Sequence, residues 1–358
     1  MSASSEPASE SSESSANAAE GMRWKGFTLK LLAAAALIYF LYRMGYLDPE
    51  KLKRPLEQPG TIALALVIAA VAISMSGLRW WLLLRLEGIH IGLGRSVWLT
   101  WIGHFFNMVF PGAVMGDGVK MFYIGQAVPE RRAEAWTTVL ADRVIGLTAL
   151  VALSIGASLL NLDFMLSREE LRWVLAVMVA LLVGALIGGV ILATGFGSEW
   201  AWLQEQLKRI PKHESLARAY RVLRRLGRNP LGVGATLVFS FSAHCMNVFN
   251  AYLLGCAASD DRTLAFLNYC TLFPIAMFSN AVAFTPGGLG VGEGVLGKLF
   301  AWSGAPAELG TTVMLWWRML FYVLALVGAA CYLSYRRDPL PQGRSLDAEP
   351  AAAPREAG

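Results

Sequence analysis

Apolar runs of about twenty residues constrain this chain more than anything else in it. A helix of about 20 apolar residues crosses the roughly 30 Å hydrocarbon core of a bilayer. Six such runs are present: Phe27–Met44, Thr61–Leu84, Ala135–Leu160, Leu171–Thr194, Leu231–Ala258 and Gly310–Tyr335. Lipid offers backbone groups no hydrogen bonds, so runs of this kind fold as helices that satisfy their own. Composition points the same way, with 55% hydrophobic and 16% charged residues where soluble domains carry about 25% charged. The expected fold class is an all-α integral membrane protein.

Two more apolar stretches are interrupted. Arg95–Met121 is broken at Pro111-Gly112 and again at Gly116-Asp117-Gly118, and Leu264–Trp302 at Thr285-Pro286-Gly287-Gly288. Read as re-entrant segments that dip in and return, they give six full transmembrane helices plus two broken hairpins. The alternative count is eight spans.

Lys and Arg concentrate on the cytoplasmic side of membrane proteins. The strongest basic stretch holds Lys208, Arg209, Lys212, Arg218, Arg221, Arg224, Arg225 and Arg228. Fixing it inside gives cytoplasmic N- and C-termini, with Arg336-Arg337 inside, in a bacterial inner membrane. Lys51, Lys53 and Arg54 then fall outside, against the trend. Residues 1–22, rich in Ser and Glu, and 338–358 are expected to be disordered tails, since neither can bury a core. Between them 23–337 reads as one membrane domain, with halves of about 61–194 and 229–335 joined by a basic cytoplasmic linker, 204–228. In that linker Leu216, Tyr220, Leu223 and Leu226 share one helical face. This suits either a solvated positive-inside helix or an interfacial helix facing anionic headgroups.

Several function classes drop out. A formal charge of +5 is too small, and its basic residues too confined to loops, to argue for nucleic acid. Cys245, Cys256, Cys270 and Cys331 form no C-x-x-C pair, so neither a disulfide framework nor a zinc site is expected. No metal-ligand cluster, cofactor motif, P-loop or nucleophile–base set is evident, and the chain does not read as an enzyme.

The two interrupted stretches resemble each other. The first runs Asn107, Phe110, Pro111-Gly112, Gly116-Asp117-Gly118-Val119; the second runs Asn280, Phe284, Pro286-Gly287-Gly288, Gly292-Glu293-Gly294-Val295. An arginine inside an apolar span follows each acid, Arg143 after Asp117 and Arg318 after Glu293. Offsets between the copies are 173 for Asn, 175 for Pro, 176 for the acid and 175 for Arg. The count of crossings makes this an inverted repeat, the layout of many secondary transporters. Broken backbone at membrane depth is tolerated where it lines a wet cavity or is buried in protein, so paired breaks mark a binding site. A helix starting after Pro-Gly presents unpaired N–H groups to an anion such as a lipid phosphate, and Lys120 adds a point charge. Asp117 and Glu293 either pair with Arg143 and Arg318 or contact a cationic headgroup. In the plainer reading each acid only neutralises its arginine so that both can be buried. His104 and His244 are proton-relay candidates or satisfied core histidines; Asn247 and Asn250 face a polar path or bond neighbouring helices. Asp142 reads as a local counter-charge to Arg143.

At these residues the chain resembles the lysylphosphatidylglycerol synthetase/flippase membrane-domain family. Pro286-Gly287-Gly288-Leu289-Gly290-x-x-Glu293 is similar to the family's second re-entrant motif. Asn107, Pro111-Gly112, Gly116-Asp117 and Lys120 are similar to the first, with Lys120 in place of a usual arginine. Arg143-x-x-Gly146 and Arg318 stand where the family has helix arginines, and the resemblance covers roughly 25–335. It implies a flippase-like domain that binds a membrane lipid, here through Asn107, Pro111, Gly112, Gly116, Asp117, Lys120, Arg143, Asn280, Pro286, Gly287, Gly288, Glu293 and Arg318. In the full-length relatives a fused cytoplasmic domain makes the aminoacylated lipid; no such segment is read here, so synthesis is not implied. The implied function is translocation of a phospholipid or polyprenyl-phosphate-type lipid. The alternatives are a non-transporting partner of a separate lipid-modifying enzyme and, third, a membrane-embedded transferase. A homo-oligomer is compatible with each.

Overall fold

The computed structural model describes residues 49–110, 114–195, 213–259, 264–282 and 288–337. The expected span Phe27–Met44, both tails, linker residues 204–212 and the break residues Pro111, Gly112, Pro286 and Gly287 lie outside them. Among the described residues every regular element is helical. Ten principal helices follow in order: α1 (Pro59–Leu86), α2 (Leu93–Val109), α3 (Met115–Ala127), α4 (Arg132–Leu160), α5 (Glu169–Thr194), α6 (His213–Gly227), α7 (Pro230–Ala258), α8 (Phe266–Val282), α9 (Val291–Trp302) and α10 (Ala307–Arg337). Five of them, α1, α4, α5, α7 and α10, are long and apolar enough to cross a membrane. The protein is an all-α integral membrane protein.

The interrupted stretches are helical hairpins. At 1.5 Å per residue, α3 and α9 extend about 18–20 Å, short of the roughly 30 Å hydrocarbon core. The hairpin α2–α3 starts and finishes at one end of the molecule. Ser96 donates to the Gly77 carbonyl of α1 (3.0 Å), and Arg132 at the start of α4 donates to that of Gly125 (2.9 Å). This end also gathers Arg85, Arg131 and Arg225, and is called the basic end below. The hairpin α8–α9 opens from the opposite end, where Asn161 donates to Asn268 (2.9 Å) and Arg168 lies 5.8 Å from the Trp302 ring.

The halves α1–α4 and α7–α10 pack with each other through matching contacts. Helices α1 and α7 run antiparallel along a central seam: Asn250 donates to the Ala65 carbonyl (3.1 Å) far from Leu86, which lies against Gly232. Small buried residues (Ala65, Ala69 and Ala72; Ala243 and Ala251) line this seam and let the backbones approach. Each half's fourth helix then lies on the other half's second. Trp98 and His104 of α2 donate to the Cys331 and Phe321 carbonyls of α10 (2.9 and 3.0 Å), and Thr271 of α8 donates to Ala157 of α4 (3.4 Å). Hairpins entering from opposite ends, with crossed packing of the fourth helices, make the repeat inverted.

The largest apolar core lies on the second-half side and includes Phe273, Phe300, Trp317 and Phe321. A smaller one around Trp80, Leu99, Ile102 and Ile124 supports the first hairpin. At the basic end the amphipathic α6 buries Val222 and Leu226 beside Leu83 and Ala141. Its Arg225 reaches Glu87, just after α1, at 2.8 Å.

Candidate functional site

Local sequence builds both hairpin tips alike. Asp117 is the third residue of α3 and Glu293 the third of α9, positions where a carboxylate meets the positive end of the helix dipole. Arg143 and Arg318 are each the twelfth residue of the helix that follows. Both acid–arginine pairs therefore sit about 15 Å along the helix from the end at which their hairpin enters, about half the roughly 30 Å of a hydrocarbon core. An asparagine on the first arm locks each tip. The Asn107 side chain accepts from the Gly116 N–H (2.7 Å), and Asn280 lies against both Gly288 and Gly292. A Cβ at Gly116 would overlap the Gly103 carbonyl and Asn107; one at Gly292 would overlap Asn280. The first glycine of each Gly-acid-Gly motif is thus fixed by close approach. Gly290, just before α9, adds a positive φ of 84° that favours glycine.

The two pairs differ in environment. Arg318 and Glu293 are 1% and 0% exposed and bond bidentately, Nε to Oε1 at 2.5 Å and Nη2 to Oε2 at 3.1 Å. Arg318 also donates to the Gly288 carbonyl (3.1 Å) and Asn280 (3.4 Å), while the Gly290 N–H donates to Glu293 (2.7 Å). The first pair is more open: Arg143 Nε lies 3.0 Å from Asp117 Oδ2, with side chains 38% and 16% exposed. Val114 and Met115 at its tip are exposed, whereas Gly288, Gly290 and Gly292 are buried. An exposed ion pair at membrane depth is expensive in lipid and is placed where water reaches it.

Behind Asp117 and Arg143 lies a second charged group. Arg79 of α1 donates to Asp142 of α4 (Nε–Oδ1 2.6 Å) and to Ser240 of α7 (2.9 Å). Lys120 of α3 reaches the other Asp142 oxygen at 3.4 Å and lies 4.3 Å from the Trp80 ring centroid. All three charged residues are less than 10% exposed. Gly146 leaves room for the Arg79 guanidinium, which a Cβ there would meet at 2.9 Å. The cluster thus joins α1, α3, α4 and α7 across both halves.

Asn107, Gly116, Asp117, Lys120 and Arg143 therefore gather at the first tip, and Asn280, Gly288, Glu293 and Arg318 at the second. The acids pair with the arginines, as one of the two sequence readings held. Asp142, read as a counter-charge to Arg143, instead serves Arg79 and Lys120. Neighbours on a helix point about 100° apart, so Asp142 turns inward while Arg143 turns to α3. Arg79 is not among the expected site residues, although it lies within the expected span Thr61–Leu84. Its signal was an arginine seven residues inside a helix that continues to Leu86. His104 donates to Phe321 and His244 to the Gly146 carbonyl (3.0 Å). Asn247 accepts from Trp317 (3.2 Å), so it and Asn250 bond neighbouring helices.

One family and two relatives match this chain. The family described as lysylphosphatidylglycerol synthase TM region matches residues 27–328. A UPF0104 membrane protein of Methanothermobacter thermautotrophicus is 22% identical over 328 residues, covering 86% of this chain and 95% of that protein. Another, from Pyrococcus horikoshii, is 23% identical over 304 residues, covering 77% and 87%.

Proposed function

The chain belongs to the lysylphosphatidylglycerol synthase TM region family, and from that premise we propose that it is a lipid translocase. A lipid headgroup passes between the inverted halves, along the two hairpin tips, while the acyl chains stay in the bilayer. The observation that carries this reading is the pair of re-entrant hairpins, entering from opposite ends and each ending in an acid–arginine pair near mid-membrane. Discontinuous helices at corresponding positions of an inverted repeat are where transporters bind their cargo. The basic end, with Arg85, Arg131, Arg132 and the arginines of α6, faces the cytoplasm of a bacterial inner membrane. The reaction is movement rather than bond making, so no catalytic set is assigned.

The residues proposed to meet the headgroup are Asp117, Arg143 and Lys120 in the first half. Glu293, Arg318, Asn280 and Gly288 serve the same path from the second; Pro111, Gly112, Pro286 and Gly287, outside the described residues, are assigned to it from the sequence repeat alone. The burial of Arg318 with Glu293 favours a second reading, in which these charges only hold a membrane scaffold for a lipid-modifying enzyme.

Reconstitution separates the two. Liposomes carrying the protein and a fluorescent phospholipid are treated with a membrane-impermeant reductant, and loss of the inner-leaflet signal is followed. Accelerated loss that Arg143→Ala abolishes, in protein that melts as wild type does, supports translocation. Wild-type protein that accelerates nothing, or Arg143→Ala protein that moves lipid at the full rate, overturns it.

A further inference from the structure

The charges of the first-half cluster do not cancel. Arg79, Lys120 and Arg143 face Asp117 and Asp142, and Asp117 lies within electrostatic reach of the other four. Asp117 neutralises Arg143. Asp142 is divided between Arg79 and Lys120, which leaves one positive charge among side chains no more than 10% exposed. His244, the nearby titratable group of α7, donates to the Gly146 carbonyl and is counted neutral. Ser240 of α7 and Trp80 of α1 complete the walls without adding charge.

The surplus is not a requirement of the fold, because the second half lacks it. Applying the offsets of the repeat, Trp317 stands where Asp142 stands in the first half and Leu296 where Lys120 does. Trp317 donates to Asn247, Leu296 is fully buried, and Arg318 with Glu293 sums to zero. Among the described residues one copy of the repeat is thus electrically closed and the other carries three cations against two acids, a surplus of one positive charge. A buried charge without a partner is strongly disfavoured, and an anion brought to it is correspondingly held.

We propose that the first-half cluster is an anion site for a singly charged phosphate, the phosphodiester of an anionic lipid headgroup. Arg143 meets it at the open rim and Lys120 supplies the unmatched charge from behind. One negative charge closes the count. A zwitterionic headgroup leaves it open, and a doubly charged phosphomonoester exceeds it. That the phosphate belongs to a lipid rests on the translocase reading; the anion site itself does not.

Binding rather than flux tests the site. Purified full-length protein in detergent is titrated with dihexanoyl phosphatidylglycerol, dihexanoyl phosphatidylcholine and inorganic phosphate. Phosphatidylglycerol should bind about tenfold or more tighter than phosphatidylcholine, and Lys120→Met should erase that preference, as loss of one charge-assisted contact predicts. Arg143→Gln, at the exposed rim, should weaken phosphatidylglycerol by about tenfold, and supplies the test if Lys120→Met does not fold. Competition by inorganic phosphate at similar affinity upholds the site and assigns it to a free ion instead of a lipid. Equal affinity for the two lipids in wild type, or an unchanged preference in both variants, overturns the proposal. A protein that shows the Lys120-dependent preference but moves no lipid keeps the anion site and loses the translocase.

Discussion

Arg318→Met should be far more damaging to stability than Arg143→Met, although the repeat places the two arginines alike. Arg318 is 1% exposed and donates to both oxygens of the Glu293 carboxylate, to the Gly288 carbonyl and to Asn280. Its removal leaves Glu293, 0% exposed, with the Gly290 N–H and no cation among the described residues. Breaking a buried pair by removing one partner costs about 3–5 kcal/mol, because the remaining charge is stranded. The Arg143 side chain is 38% exposed and lies 3.0 Å from Asp117. Solvent screening reduces such a pair to about 0–1 kcal/mol. For a protein of this size about 2–3 °C accompanies each kcal/mol, so Arg318→Met should melt about 6–15 °C lower and Arg143→Met about 3 °C or less. The assay is thermal unfolding of purified protein in one detergent, read by tryptophan fluorescence at one scan rate. Adding Glu293→Gln to Arg318→Met removes the stranded charge and should recover part of the loss. Equal shifts for the two single variants, or no recovery in the double, would refute the claim that only the second pair is sealed from water.

Gly116→Ala should fail to give folded protein or melt well below wild type, since its Cβ has no space, while Gly118→Ala, with nothing within 4 Å, should melt within about 2 °C of wild type; size-exclusion profiles and melting curves check both. Burial pushes the Glu87 carboxyl above its ordinary 4.5, with Arg225 and Arg131 opposing. A carboxyl raised in the folded state binds more protons folded than unfolded, so its contribution weakens as pH rises from about 4.5 through the raised value. Melting between pH 4 and 7 should therefore show a downward trend with rising pH that Glu87→Gln reduces. Asn107→Ala strips the Gly116 N–H of its acceptor and should cost about 1–2 kcal/mol, measured by the same melting shift.

The hairpins were legible in the sequence because their chemistry leaves few choices: glycines beside an asparagine, an acid in the first turn, an arginine one helix on. The spans were legible from hydropathy alone, and α1, α4, α5, α7 and α10 lie within a few residues of their expected bounds. What stayed hidden was which side of a helix each charge takes. Asp142 and Arg143 are adjacent in sequence yet belong to different groups, and Arg79 joins Asp142 across 63 positions. Such pairings depend on the rotation of α1 against α4 and α7, which is set by the alanine seam and carries no local signal. The difference in exposure between the two pairs was also unreadable, since near-identical motifs stand at both tips.

Helix α5 is the least enclosed of the long helices, with 6% of its most apolar stretch buried, and no contact between it and either hairpin tip is seen among the described residues. Its necessity lies in parity. A unit of one span, one hairpin and one span makes two crossings and returns the chain to the side it left. Two such units joined directly would stand the same way up, and their hairpins would enter from the same face. One additional crossing between them turns the second unit over. By that reasoning a chain in which α5 were excised could keep nearly every core contact of α7–α10 and still lose the antiparallel seam, because the second unit would be delivered to the bilayer upside down.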